Sequence, residues 1–120
     1  MLRDVDGGKR RHRRWAAGGR LVGRIDATQR VSFVDISLGG ALIEHSTMVQ
    51  PGMISFLTLS LSGEEEALKC RVVRSAVHRY EIEPTGERGL VYRSGVEFLD
   101  TSEVSLRLID KSIESLKAVA

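Results

Sequence analysis

Residues 9–14 read Lys-Arg-Arg-His-Arg-Arg, and Trp15 follows. A guanidinium grips phosphate through two parallel N–H bonds and lays its plane on flat rings. Arg10 and Arg14 stand four positions apart, so an extended or turning arm brings both to one compact anionic ligand. Lys9 and Arg13 share that spacing, which leaves the register of the grip open by one residue. Trp15 rests on the protein body or stacks on an arginine. Taken alone, the cluster also fits a generic basic tail for nucleic acid or anionic lipid. A second group is Asp35-Ile36-Ser37-Leu38-Gly39-Gly40. Ser37 shares a side with Asp35 if the strand continues. A carboxylate and a hydroxyl on one side take a base edge and a phosphate. Gly39 and Gly40 permit a tight turn and close approach of a ligand to the backbone. Taken alone, this group also fits a Ser- or Asp-capped turn between strands.

The other reactive side chains point to no catalytic constellation. His12, His45 and His78 lie in three different segments, without the close spacing of a metal pair. Ser37 has no triad partner nearby and no nucleophile-elbow signature. Glu64-Glu65-Glu66 reads as a solvated turn. Cys70 is the single cysteine, so no internal disulfide forms, and a strand-like setting makes it a small core hydrophobe. Sequence reasoning therefore expects a non-enzymatic domain in a reducing cytoplasm, with no metal or cofactor.

These groups need a scaffold. With 120 residues the chain has room for one core, and 5% aromatics leave that core to Val, Leu and Ile. No apolar run approaches the roughly 20 residues of a membrane helix, and no apolar segment follows the charged N-terminus as in a secretory signal. Net charge is +2, but residues 1–24 carry eight basic and two acidic groups, leaving −4 for the rest. A positive arm on a mildly acidic body points to an anionic partner for the arm.

Residues 1–9 offer little to bury. Strand patterns follow at 20–26, 29–36, 41–44, 53–61, 67–82 and 90–99, with turns at Asp26-Ala27-Thr28, Gly39-Gly40, Pro51-Gly52, Ser62-Gly63-Glu64 and Pro84-Thr85-Gly86. In the strand at 29–36, Val31, Phe33 and Asp35 share one face, with Val34 and Ile36 on the other. Leu57, Leu59 and Leu61 share a face. Leu68, Cys70 and Val72 alternate until Val73 breaks the pattern, which predicts a bulge there. After Val104 the apolar residues Leu106, Ile109, Ile113 and Leu116 fall at helical spacing, with Asp100 or Thr101 as the cap and Glu103 completing a capping box. Six short antiparallel strands and one helix predict a sandwich or a small closed barrel.

In this order the two motifs resemble the PilZ domain. That family carries R-x-x-x-R in an N-terminal arm, here Arg10-Arg11-His12-Arg13-Arg14, and further on D/N-x-S-x-x-G, here Asp35, Ser37 and Gly40. Val49-Gln50-Pro51-Gly52 before an apolar strand, Ser94-Gly95-Val96-Glu97-Phe98 and a terminal helix extend the likeness over roughly residues 9–117. The resemblance implies a six-stranded antiparallel β-barrel, the PilZ-like split barrel, with a C-terminal α-helix. It implies an unstructured tail over 1–8 and one domain over 9–120, with the basic arm at 9–19, the barrel at 20–99 and the helix at 101–118. It further implies a receptor for cyclic di-GMP. Arg10 and Arg14, beside Arg11, would take phosphates and guanine faces; Asp35 would take a guanine edge. Ser37 would sit near a phosphate, and Gly39 and Gly40 would keep the turn open. Ordering of the arm would then signal to a downstream protein, with no membrane insertion and no specific nucleic acid. The alternative is a PilZ-like protein-interaction scaffold, or a basic-arm nucleic-acid binder without nucleotide sensing. Few aromatics are present to serve as base platforms for the latter.

Overall fold

The structure, a computed structural model, describes residues 12–118. The expected tail at 1–8, and Lys9, Arg10 and Arg11, lie outside the described residues. The elements are β1 (Trp15–Ala16), β2 (Val22–Ile25), β3 (Gln29–Ile36), β4 (Gly40–His45), β5 (Ile54–Leu61), β6 (Glu64–Ile82), β7 (Arg88–Phe98) and α1 (Glu103–Ala118). The strands are antiparallel and follow the order β1-β3-β2-β5-β6-β7-β4, and a β3–β4 pairing closes six of them into a ring. The short β1 is a seventh strand that the sequence pattern did not reveal. It pairs with Asp35 and Ile36, beyond the point where β2 leaves β3. The six-strand expectation therefore holds for the ring, and the base of the arm joins the sheet.

The turns follow local chemistry. Ser62 and Gly63 both have positive φ (50° and 84°) and join Leu61 to its partner Glu64 in a two-residue hairpin that suits the strand twist. Glu64–Glu66 are thus the first residues of β6 and not the solvated turn expected. All three are engaged: Glu64 by Lys111, Glu65 by Arg24, and Glu66 by the Ser105 hydroxyl, which donates to it at 3.3 Å. At Gln50–Met53, proline in the first central position and Gly52 at φ 89° give a turn closed by the Met53 N–H to the Gln50 carbonyl, 3.1 Å.

Alternation fills the ring with Val31, Phe33, Ile43, Leu57, Leu59, Leu68, Cys70, Val72 and Val96, all buried. Burial pushes the Cys70 thiol up to about 11, in keeping with a core role. His45 is buried; its Nδ1 donates to the Thr47 carbonyl at 2.6 Å, and Nε2 lies 2.7 Å from the Ser94 hydroxyl. Burial lowers its pKa, so it stands as a neutral, hydrogen-bonded imidazole.

The helix begins one residue after its cap. Ser102 Oγ accepts the Ser105 N–H at 3.1 Å, so Ser102 is the cap, where Asp100 or Thr101 was expected. Asp100 instead has φ 48° and turns the chain out of β7. The buried stripe is Leu108, Ile109, Ile113 and Leu116, whereas Leu106 is exposed. The expected stripe was therefore rotated at its start: counting from Val104 chose Leu106, and the ring end receives Leu108. No described helix is long and apolar enough to cross a membrane.

Candidate functional site

Two bulges position the site. In β3, Phe33 pairs with Ile43 but Asp35 pairs with Leu42, so Val34 is an extra residue. Without it, Asp35 would oppose the buried Ala41 and point into the core. With it, Ile36 takes the core side and Asp35 turns outward beside Leu42. This corrects the expected face, which grouped Asp35 with Val31 and Phe33. In β6 the expected bulge is present: Val72 pairs with Val96 and Arg74 with Gly95, leaving Val73 extra. Regular pairing would have set Arg74 against the fully buried Ser94. Each bulge thus carries one charged side chain out of the core to the same outer face. Asp35, Leu42, Gly95 and Arg74 form one cross-strand row over β3, β4, β7 and β6.

The base of the arm completes the site. Ala16 pairs with Asp35, and alternation places Arg14 on that same side. Arg14 Nη1 donates to Asp35 Oδ1 at 2.6 Å across 21 residues of sequence. Both side chains are largely buried, at 11% and 9% exposed. Arg14 Nε is buried without a hydrogen-bond partner, and no other buried side-chain N or O among the described residues shares that state. A buried donor without a partner costs about 1–3 kcal/mol, so this guanidinium keeps hydrogen-bonding capacity beyond its bond to Asp35. On the core side, Trp15 packs against the buried cluster. Its ring carries Arg13 at 5.5 Å and Lys117 of α1 at 4.8 Å from the centroid. Of the two placements expected for Trp15, the structure shows both.

Ser37 closes the turn into β4. Its Oγ accepts the N–H groups of Gly39 and Gly40, each at 3.1 Å, and donates to the Gly40 carbonyl at 3.3 Å. The Ser-capped turn is therefore built, and the hydroxyl is engaged in it. Both glycines have protein where a side chain would be. A Cβ on Gly39 would lie 2.5 Å from the His12 ring, so the arm crosses this residue. A Cβ on Gly40 would lie 2.2 Å from the Val96 carbonyl oxygen of β7. The room that Gly40 keeps is thus filled by the neighbouring strand.

These residues surround a cleft of about 340 Å³, lined by His12, Arg14, Ser37, Gly39, Gly40, Val73, Arg74, Gly95, Val96 and Glu97. Arg14, Ser37, Gly39 and Gly40 line it together, as the motif spacing suggested, with Asp35 behind Arg14. Arg74 was missed by sequence reasoning, although Val73 had signalled the bulge that aims it. Its side chain lies across Gly95, where a Cβ would sit 3.3 Å from Nε, and it has no ion-pair partner among the described residues. At the far rim, Glu97 pairs with Arg71 at 2.8 Å, leaving Arg14 and Arg74 as the cations of the cleft itself.

Fold and cleft together define a small β-ring domain with one terminal helix and an arginine-lined cleft over two bulged strands. The chain belongs to the PilZ domain family, whose family model matches residues 8–115. Solved structures with the same fold include the PilZ domain with c-di-GMP of YcgR from Escherichia coli, at 21% identity and TM-score 0.70, covering 92% of this chain and 93% of that one. The MrkH–c-di-GMP complex from K. pneumonia is similar at 18% identity and TM-score 0.64, over 92% of this chain and 53% of that one. A further MrkH structure, described as a c-di-GMP-dependent transcription regulatory factor, matches at 18% identity and TM-score 0.65, over 93% and 52%. No curated protein sequence matches the chain.

Proposed function

We propose that this domain is a receptor for cyclic di-GMP that works without catalysis, in the cytoplasm, by passing ligand-driven ordering of its arm to a downstream protein. The observation that carries this reading is the meeting of Arg14 with Asp35 beside a cleft with a second arginine, Arg74, at its other end. Family membership and the cyclic di-GMP in similar solved structures support it. In this reading the arm at 9–19 closes on the nucleotide, with Arg10 and Arg11 adding to Arg14. A guanidinium supplies five donors in a planar fork, and Arg14 spends only one of them on Asp35 at hydrogen-bonding distance. The others, Nε among them, serve phosphate oxygens. The flat guanidinium of Arg74 over Gly95 offers a stacking plane for a base. Asp35 is acceptor-only when ionised and takes the two adjacent donors of a guanine edge, its ring N–H and exocyclic amine. The Ser37 turn holds Gly39 and Gly40 in place beneath, their backbone close to the ligand.

Adenine presents an unprotonated ring nitrogen at the corresponding edge, so Asp35 would face an acceptor and stay partly unpaired. A site that loses a built-in polar partner discriminates strongly. Isothermal titration is expected to show cyclic di-GMP binding at least about a hundredfold tighter than cyclic di-AMP, in line with a few kcal/mol for an unsatisfied charged group. The same titration returns the stoichiometry. Equal affinities for the two nucleotides, or no binding of either, contradict the proposal.

A further inference from the structure

Strand β6 is much longer than the strand beside it. Its pairing with β5 ends at Arg71, and the last bonds on that side join Val72 to Met53 and Gly52. From Val73 to Ile82 the strand pairs only with β7, so the hairpin projects beyond the ring with a bare edge among the described residues. A bare edge presents a row of unpaired N–H and C=O groups to another strand. The side chains here are also unusual for an edge. Val77, Tyr80 and Ile82 pair with Tyr92, Leu90 and Arg88, which alternate along β7, so all three lie on the face that fills the core further down. They are 50%, 70% and 77% exposed. A two-stranded ribbon standing off a domain gains little stability by itself.

The edge sequence is self-complementary in one register. Antiparallel pairing of two copies about Tyr80 sets Arg79 opposite Glu81 of the other copy, and Glu81 opposite its Arg79. The two Tyr80 rings meet at the axis. Opposite charges and aromatic pairs directly across strands are stabilising, and like charges there are destabilising. Centring on Arg79 sets arginine against arginine, and centring on Glu81 sets glutamate against glutamate. Arg79 through Ile82 lies beyond the second bulge of β6, between Val77 and Arg79, so this run pairs regularly with β7. Arg79 already holds its own Glu81 at 2.7 Å, and Glu44 at 3.0 Å. Both charges therefore stand side by side on the outer face, where a second copy adds one opposite charge to each.

We propose that this edge is a self-association surface, on which a second copy of the chain adds antiparallel to β6 about a two-fold axis at Tyr80. The contact is isologous and independent of the nucleotide cleft. A few residue pairs make a weak dimer, so sedimentation velocity of the full chain over about 10 µM to 1 mM is the suitable range. The average mass is expected to rise with concentration towards a dimer. Glu81→Arg, which leaves the Arg79–Glu44 pair in place, sets arginine against arginine twice and is expected to weaken association about tenfold or more. The double swap Arg79→Glu with Glu81→Arg restores the opposition and is expected to recover it. Tyr80→Lys, which leaves the ion pairs intact, is expected to weaken it too, with circular dichroism checking that each variant is folded. A wild type that stays monomeric throughout overturns the proposal and leaves the edge to a different protein. So does a dimer indifferent to Glu81→Arg and Tyr80→Lys.

Discussion

Arg14→Ala is expected to abolish tight cyclic di-GMP binding and to destabilise the fold at the same time. The guanidinium holds Asp35 at 2.6 Å in a largely buried setting. Removing one partner of a buried ion pair leaves the other charge uncompensated, at about 3–5 kcal/mol for a fully enclosed pair. The remaining exposure here sets the expected loss below that range, at about 2–3 kcal/mol. Binding suffers separately, because charge-assisted bonds contribute about 1.5–3 kcal/mol each, or roughly tenfold or more in affinity. The double variant Arg14→Ala with Asp35→Ala separates the two effects. It removes the orphaned carboxylate, so stability should return most of the way while binding stays lost. Arg14→Lys keeps the charge without the fork, so it should keep stability better than it keeps affinity. Thermal melting and titration on the same samples read both quantities. Near-normal binding in Arg14→Ala would remove this residue from the site.

Gly40→Val is expected to break the ring before any question of ligand arises. At sequence level, a tight-approach glycine in the motif suggests a variant that folds and binds poorly. The structure gives a different cause for the glycine. A Cβ here would fall 2.2 Å from the backbone oxygen of Val96, and β4 pairs with β7 along its whole length. Backbone cannot swing aside as a flexible side chain does, so the strands must separate. Overpacking costs about 1–3 kcal/mol where side chains absorb it; here Gly40→Ala should cost at least about 2–3 kcal/mol and Gly40→Val more. Gly39→Ala is the contrast, since the nearest atoms to its Cβ belong to the His12 side chain, which can swing aside, and it should fold normally. Urea denaturation of the three variants checks this ordering. A Gly40→Val chain with wild-type stability would show that β4 and β7 are not packed this closely.

The contrast between the two glycines shows where sequence reading reached its limit. Turn chemistry was legible because it is local: Pro51-Gly52, Ser62-Gly63 and the Ser37-capped turn each declare themselves within a few residues. The Val73 bulge was legible because an apolar residue interrupts Leu68, Cys70 and Val72. The Val34 bulge was not, since Val34 and Ile36 form an acceptable second face by themselves. Only the pairing of Asp35 with Leu42 reveals that the faces exchange. Arg74 was invisible for the same reason: its value as a cleft residue depends on Gly95, a cross-strand partner. The reason for Gly40 likewise lies in Val96. In the helix, the rotation from Leu106 to Leu108 follows from where the ring end lies, which no local pattern encodes. Motif residues close in sequence were thus found, and those joined only through strand register were not.

In the proposed function, cyclic di-GMP occupies the cleft between Arg14 and Arg74. Amide and arginine side-chain NMR shifts of the full chain, followed during addition of the nucleotide, test it most directly. Large shifts are expected for Ser37, Gly39 and Gly40, for Gly95 to Glu97, and for the Nε–H signals of Arg14 and Arg74. The hairpin tip at Thr85-Gly86 should not respond. Shifts confined to the opposite wall around Arg24 and Arg30, or no shifts at all, would contradict it.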